Sequence, residues 1–254
     1  MKILSVNAGS SSLKFKAYEM PEEKVLASGN FERIGIEGSL YTIKVNGEKI
    51  KKECELKDHK VAFETLMDEL KALNVIKDFN EIKGVGHRIV QGADHYDKSV
   101  EATSSVIKDI ESLSTLAPLH NPAAVLGINA AKSVIKDAKH AVVFDTAFHQ
   151  TMKEENFLYA LPMDWYKDYH VRRYGAHGTS HKYITERMHD LLGKDGKLII
   201  CHIGSGASIT AVENGKCVNT SMGFTPNAGL IMGTRCGDID ATILPYIMEE
   251  KGRR

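Results

Sequence analysis

The run Ile3-Leu4-Ser5-Val6-Asn7-Ala8-Gly9-Ser10-Ser11-Ser12-Leu13-Lys14-Phe15 decides the fold. It reads as an apolar strand, a tight turn of Gly and Ser, and a second strand in which Leu13, Phe15 and Ala17 alternate with Lys14, Lys16 and Tyr18. That period of two belongs to a half-buried strand. A turn of small residues exposes successive backbone N–H groups and hydroxyls, a concavity that suits phosphate oxygens. Alone it is a weak signal, because Gly and Ser also dominate ordinary hairpins. The same pattern returns in Leu198-Ile199-Ile200-Cys201-His202-Ile203-Gly204-Ser205-Gly206-Ala207-Ser208-Ile209. Two such turns, each opening its own strand run, predict two related lobes facing a nucleotide, the layout of a phosphotransferase.

The bulk properties set outer limits. A chain of 254 residues forms one large domain or two ordinary ones. Hydrophobic content of 43% with 26% charged residues is that of a soluble globular protein. The longest apolar runs, such as Leu198 to Cys201, fall far short of the roughly 20 residues of a membrane span. The N-terminus carries one Lys and then a strand pattern, so no secretory segment is expected. A formal net charge of zero argues against a general nucleic-acid or anionic-membrane surface, while leaving room for a local anion site. Cys54, Cys201, Cys217 and Cys236 show neither zinc-ligand spacing nor a disulfide framework, which points to reduced, cytoplasmic thiols.

Residues 2–7, 13–19 and 24–34 read as consecutive strands, followed by a hairpin turning at Asn46-Gly47. Helical spacing appears at Phe63, Leu66, Met67, Leu70 and Leu73. A short strand, Gly84–Val90, ends near a basic residue. A helix with Val106, Ile107, Ile110 and Leu113 on one face follows, then another with Pro122 in its first turn. The apolar strand His140–Thr146 delivers Asp145 at its C-terminal end. Residues 150–170, rich in aromatics and Pro, read as the crossover between lobes. The next helix, from about Ser180 to Leu192, is expected to turn Ile184, Met188, Leu191 and Leu192 inward and to stop at Gly193. A hairpin turning at Asn214-Gly215 follows. The fold class is therefore α/β, with mixed sheets flanked by helices. The lobes are expected at 1–148 and 149–254. The stretch from Lys197 to Arg254 is too short to finish a lobe matching the first, so a truncated chain is expected.

Three polar clusters bear on chemistry. Gly86-His87-Arg88-Ile89-Val90 ends a strand with Arg88, Tyr174–His181 places His177 in a Gly-flanked loop, and Gly233–Asp240 carries Arg235 between glycines. The planar fork of Arg binds two oxygens of a carboxylate or phosphate at once, although its commoner role is a surface ion pair. The glycines around Arg235 favour close approach to a ligand; Arg88 judged alone has no such support. His177 and His181 stand at the i, i+4 spacing of a helical metal pair, but no Glu lies in the metalloprotease position and Gly178 disfavours helix there. Lys14 reads equally as a solvated strand lysine, and Asp145 as a cap. The phosphate-loop motif G-x-x-x-x-G-K-[ST] does not occur.

Asn7–Lys14 (N-A-G-S-S-S-L-K), Gly86–Val90, Ala117–Pro122 (A-P-L-H-N-P), Val143–Gln150 (V-F-D-T-A-F-H-Q), Arg173–His181 (R-Y-G-A-H-G-T-S-H) and Thr220–Asp240 closely resemble the acetate kinase (acetokinase) family, in order and over essentially the whole chain. The resemblance implies two ribonuclease-H-like lobes of the superfamily of acetate and sugar kinases, heat-shock ATPases and actin. It implies reversible, direct in-line transfer of the ATP γ-phosphoryl group to acetate, giving acetyl phosphate, with Mg²⁺ as cofactor and a cytoplasmic homodimer as the assembly. By the same resemblance Asn7 would hold the metal, and Ser10, Ser12 and Lys14 would sit near the phosphates. Arg88 would hold the substrate carboxylate, and Asp145 would be the acidic catalytic residue. His177 and Arg235 would stabilise the transferring phosphoryl group. His202, Ile203, Gly204, Ser205 and Gly206 would form the second phosphate turn. Val90, Leu119 and Pro226 would line the acyl pocket, with His120 nearby.

The chain departs from the family pattern at several places. Ala176 stands where the family usually has Phe beside the catalytic His, which predicts relaxed acyl selectivity with propionate or butyrate gaining on acetate. Ser205 replaces the usual Asn of the second phosphate turn, and Asn227 replaces a common Leu. The adenosine-binding motifs and the late metal-binding Glu of the family do not occur, so a chain of this length alone is expected to bind ATP poorly and turn over little. The alternatives to an acetate kinase are a propionate- or butyrate-preferring kinase of the same family, and an inactive fragment that binds anions or a partner chain.

Overall fold

The first Gly/Ser turn joins β1 (Lys2–Gly9) to β2 (Ser12–Glu19), antiparallel, with Gly9 opposite Ser12 and Asn7 opposite Lys14. In the computed structural model, which describes residues 1–252, the chain divides into two compact units, Met1–Ala147 and Phe148–Arg254.

The first unit is built on an eight-stranded mixed sheet. Strands β3 (Lys24–Glu32), β4 (Leu40–Val45) and β5 (Glu48–Glu53) extend the antiparallel run on one side of β1. Asn46 and Gly47 supply the positive φ of 51° and 85° that their hairpin needs. On the other side β6 (Ile82–Ile89) pairs parallel with β1, and β8 (Lys139–Phe144) parallel with β6. The two-residue strand β7 (Val100–Glu101), too short to show a period, closes the edge antiparallel to β8. The sheet order is thus β5-β4-β3-β2-β1-β6-β8-β7.

Helices α1 (His59–Ala72), α2 (Ser104–Ser112) and α3 (Asn121–Val134) arise where apolar residues recur at helical spacing. Asp58 caps α1 by accepting from the Val61 amide, Thr103 caps α2, and Pro122 occupies the first turn of α3. Phe63, Leu66, Met67 and Leu70 of α1 pack on Leu13, Phe15, Phe31 and Ile43 of the sheet. Ile128 and Val125 of α3 join Ile89, Val142, Phe144 and Ile110 in a second cluster. A Cβ on Gly127 would lie 2.5 Å from the Ala8 methyl, so α3 closes on β1 next to the Gly9 turn only because that position is Gly.

The second unit opens with the short helices α4 (Glu154–Phe157) and α5 (Met163–Tyr169), within residues read from sequence as a plain crossover. Helix α6 runs from Gly178 to Leu192 and ends at Gly193 in the left-handed conformation. The sheet that follows is antiparallel: β9 (Lys197–Ile203), β10 (Ala207–Glu213) and β11 (Lys216–Thr220), with Asn214-Gly215 as the β10–β11 turn. Helix α7 spans Ile243–Glu250.

Two readings of α6 are corrected. Gly178 does not keep the helix away; it is its first residue, with His177 as the N-cap. The buried face is formed by Gly178, His181 and Thr185, while Ile184, Leu191 and Leu192 are exposed at 38%, 71% and 53%. The helix docks through the His181 ring, which reaches Ser208 on β10, while the Thr185 hydroxyl bonds back to the His181 carbonyl, contacts that hydropathy does not register. Among the described residues, no helix is long and apolar enough to cross a membrane.

Candidate functional site

In the first unit the Gly9–Ser12 bend is held from behind. His59, buried at the start of α1, places Nε2 2.8 Å from the Gly9 carbonyl and so donates to it. Sequence reading missed His59, whose only signal was its place after the cap Asp58. Because Asn7 and Lys14 are cross-strand partners, their side chains share a face and line one groove of about 500 Å³ with Ser5, Lys16 and Asn30. Ser10 is exposed and Ser12 half-buried at the tip. The amide oxygen of Asn7 is a hard ligand of the type Mg²⁺ accepts, and Mg²⁺ at kinase sites keeps several waters and is held partly by substrate phosphates. No group of three or more His, Cys, Asp or Glu able to hold a metal occurs among the described residues. In this groove the Asn7 amide is thus one hard oxygen that fits such a cation.

Arg88 and Asp145 come together. Nε lies 3.0 Å from Oδ2 and Nη2 lies 2.6 Å from the same oxygen, with the carboxylate almost fully buried and the guanidinium 42% exposed. Burial works against the Arg88 charge, but the hydrogen bonds and charge of Asp145 more than offset it, so the guanidinium pKa is raised. Asn121, fully buried, ties the chain beyond β6 to the start of α3: it accepts from the Gln91 amide at 3.3 Å and donates to the Gln91 carbonyl at 3.0 Å. This fixes Val90, half-buried, near the loop carrying Leu119 and His120, of which Leu119 is 79% exposed. Asn121 lay inside a motif noted from sequence, but its polar role there had no local signature.

In the second unit the Gly204–Gly206 turn joins β9 to β10, and the Gly204 amide donates to the Gly206 carbonyl at 3.0 Å. A Cβ built on Gly206 would stand 2.5 Å from Arg235 Nη2 and 3.3 Å from His177 Nε2. Arg235 and His177 thus reach the same backbone segment, and only Gly admits both. Arg235 donates through Nη1 to the Pro226 carbonyl at 2.5 Å, and the Gly233 amide donates to the Ser205 carbonyl at 3.2 Å. The loop bearing Arg235 is closed at its base by a reciprocal pair: the Gly229 amide donates to Asp238 Oδ1 and the Asp238 amide to the Gly229 carbonyl, both at 2.8 Å. Asn227 makes only a weak contact, Nδ2 to Cys236 Sγ at 3.9 Å. Ile203 is 70% exposed.

The His177 backbone is left-handed (φ 60°), a conformation costly for a residue other than Gly and typical of functional positions. The His202 ring lies 4.0 Å from the His177 ring, centroid to centroid, with Nδ1 2.9 Å from Ser180 Oγ. His149, unassigned from sequence, donates through Nε2 to the carbonyl of buried Ala176 at 3.0 Å, and its Nδ1 is 3.2 Å from Cys217 Sγ. Burial pushes the Cys217 thiol up to about 12, so it stays protonated and can donate to that nitrogen.

A cation, an imidazole and exposed backbone amides around a Gly turn form a site for phosphate oxygens. Residues 2–254 match the family described as the acetokinase family. The chain is 55% identical to the acetate kinase of Bacillus subtilis (strain 168), over 99% of this chain and 65% of that protein. Crystal structures of Porphyromonas gingivalis acetate kinase (TM-score 0.95, 44% identity) and of a propionate kinase from Francisella tularensis subsp. tularensis SCHU S4 (TM-score 0.92, 39% identity) each cover all of this chain, which spans 65% of each of theirs.

Proposed function

Since the chain belongs to the acetokinase family, we propose that its residues serve reversible phosphoryl transfer between ATP and acetate or another short-chain carboxylate. The observation that carries this reading is the approach of Arg235 and His177 to Gly206. Phosphoryl transfer asks the protein mainly to place positive charge and hydrogen-bond donors around oxygens that gain charge in the transition state. Arg235 supplies the charge and His177 a ring donor, while the Ser205 and Gly206 amides of the turn bind phosphate. Arg88 binds the substrate carboxylate through the guanidinium edge that its bonds to Asp145 leave available, since those bonds use Nε and Nη2. Asp145 keeps that fork oriented. Ser10, Ser12 and Lys14 contact the nucleotide phosphates. Asn7 would hold Mg²⁺, which, when bound, neutralises charge on the phosphates.

The proposal extends to a homodimer working in the cytoplasm. Val90, Leu119 and His120 of the first unit are proposed as acyl contacts, as are Ala176 and Pro226 of the second. The small side chain of Ala176 supports acceptance of propionate beside acetate, and the similarity to a propionate kinase agrees with that reading.

The chain spans about 65% of the length of the relatives it matches. A second reading of the turn is phosphate binding without turnover. Formation of acyl hydroxamate from ATP, Mg²⁺, carboxylate and hydroxylamine separates the two. Product that disappears in His177→Ala supports the kinase reading for this chain. No product, with acetyl phosphate still bound, supports the second.

A further inference from the structure

Behind His177 lies a relay that the proposed reaction does not use directly. The Ser208 hydroxyl, fully buried on β10, is 2.9 Å from His177 Nδ1 and 2.8 Å from His181 Nε2. A hydroxyl has one hydrogen, so it can donate to only one of these two ring nitrogens. His181 decides the direction. It is completely buried on α6, its Nδ1 has no hydrogen-bond partner among the described residues, and Thr185 Oγ1 donates to its backbone carbonyl, not to its ring. Burial, reinforced by the nearby imidazoles of His149, His177 and His202, pushes its pKa down to about 3, so the ring is neutral.

A neutral ring carries a single N–H. On Nδ1 of His181 that hydrogen would be buried without an acceptor, at the full desolvation cost of an unpaired donor. On Nε2 it is donated to Ser208, and the orphan is a lone pair, which interiors tolerate better than an orphan N–H.

We propose that His181 and Ser208 are positioning residues that fix the tautomer of His177. His181 Nε2–H donates to Ser208 Oγ, Ser208 O–H donates to His177 Nδ1, and neutral His177 keeps its own hydrogen on Nε2. That nitrogen is the one beside Gly206 and Arg235. The functional meaning rests on the reading of His177 as the group that steadies the phosphoryl oxygens. An Nε2–H hydrogen bond attracts an oxyanion, whereas the opposite tautomer would face it with a lone pair. His177 then serves as a donor without taking a proton from solvent, and Arg235 provides the charge.

The test is long-range ¹H–¹⁵N correlation of ring nitrogens in the 254-residue chain at neutral pH, without nucleotide or carboxylate, with His177 assigned through His177→Gln. The expected result is a bare Nδ1 and a hydrogen-bearing Nε2 on both His177 and His181. Ser208→Ala is expected to convert His177 to a mixture of tautomers, and Ser208→Thr to keep the parent pattern. A hydrogen on His177 Nδ1 in the parent overturns the proposal, and so does an unchanged His177 pattern in folded Ser208→Ala. The parent spectrum is decisive even where a variant misfolds. Because no turnover is involved, a failed hydroxamate assay beside the expected spectrum removes the kinase reading and leaves the relay standing.

Discussion

Arg88 faces Asp145 because the parallel register of β6 and β8 pairs Arg88 with Val143, which puts the residue two places further on, Asp145, on the same face of the sheet. The carboxylate is 3% exposed and the guanidinium 42%, so losing the pair costs the carboxylate more than the guanidinium. Arg88→Ala should destabilise the first unit by about 2–3 kcal/mol, between the values for exposed and fully buried pairs. Asp145→Asn should cost less, because it removes the buried charge and leaves unpaired only the half-exposed guanidinium. In the double variant the losses should add to less than their sum. Urea unfolding of the three proteins measures this.

Gly206→Ala tests the crowding at the second turn. The nearest atom to the new methyl is the tip of a flexible side chain, Arg235 Nη2, so the guanidinium should move and the fold should survive. Thermal stability without ligand is expected within about 1 kcal/mol of the parent. The rise in Tm that acetyl phosphate produces should shrink, since ligand stabilisation follows affinity. A full ligand-induced shift in Gly206→Ala would show that Arg235 does not act at this turn.

A third expectation concerns acid. His87 and His140 stack in the first unit with Nε2 of one 3.0 Å from Nδ1 of the other, and the second ring reaches the Ile135 carbonyl. Burial, followed by the charges of His140 and Lys132, pushes His87 from 6.5 down to about 3, and burial lowers His140 as well. Between those limits the unfolded chain binds protons that the folded chain refuses. Stability therefore falls as pH drops below about 6.5, by up to about 1.4 kcal/mol per pH unit for each such group. His181 adds to the slope in the second unit. Urea midpoints at pH 7 and pH 5 should differ in the parent, and His87→Met should flatten the difference for the first unit.

Acyl choice gives a fourth. Ala176→Phe should lower kcat/KM for propionate relative to acetate, by a factor within the about 1–3 kcal/mol that a pocket gains per methylene. Ala176 is 3% exposed, so unfolding of the variant must be checked alongside. An unchanged ratio in a folded, active variant would remove Ala176 from the specificity determinants.

Much of the architecture was legible where a side-chain period matched a face. Leu13, Phe15 and Ala17 are buried while Lys14 and Lys16 are exposed, as their alternation implies, and Asn46-Gly47 makes its turn. Legibility failed where polar contacts organise the structure. The inward face of α6 is His181 and Thr185, and apolar spacing pointed instead to Ile184, Leu191 and Leu192. Segments as short as β7 or α4 hold too few residues to show any period. Arg88 and Asp145 lie 57 positions apart, and only strand register brings them together. His59, Asn121, His149 and Asp238 act by bonding backbone groups of the residues beside the site, a role their sequence neighbours do not reveal.

Titration of this chain with acetyl phosphate, followed by ³¹P NMR, asks whether Arg235 forms a phosphate site at the Gly204–Gly206 turn. A hydrogen bond to a charged group contributes about 1.5–3 kcal/mol. Saturable binding that weakens about 10-fold or more in folded Arg235→Ala is the predicted result. Absence of saturable binding by the parent, or equal affinity in the two proteins, would contradict it.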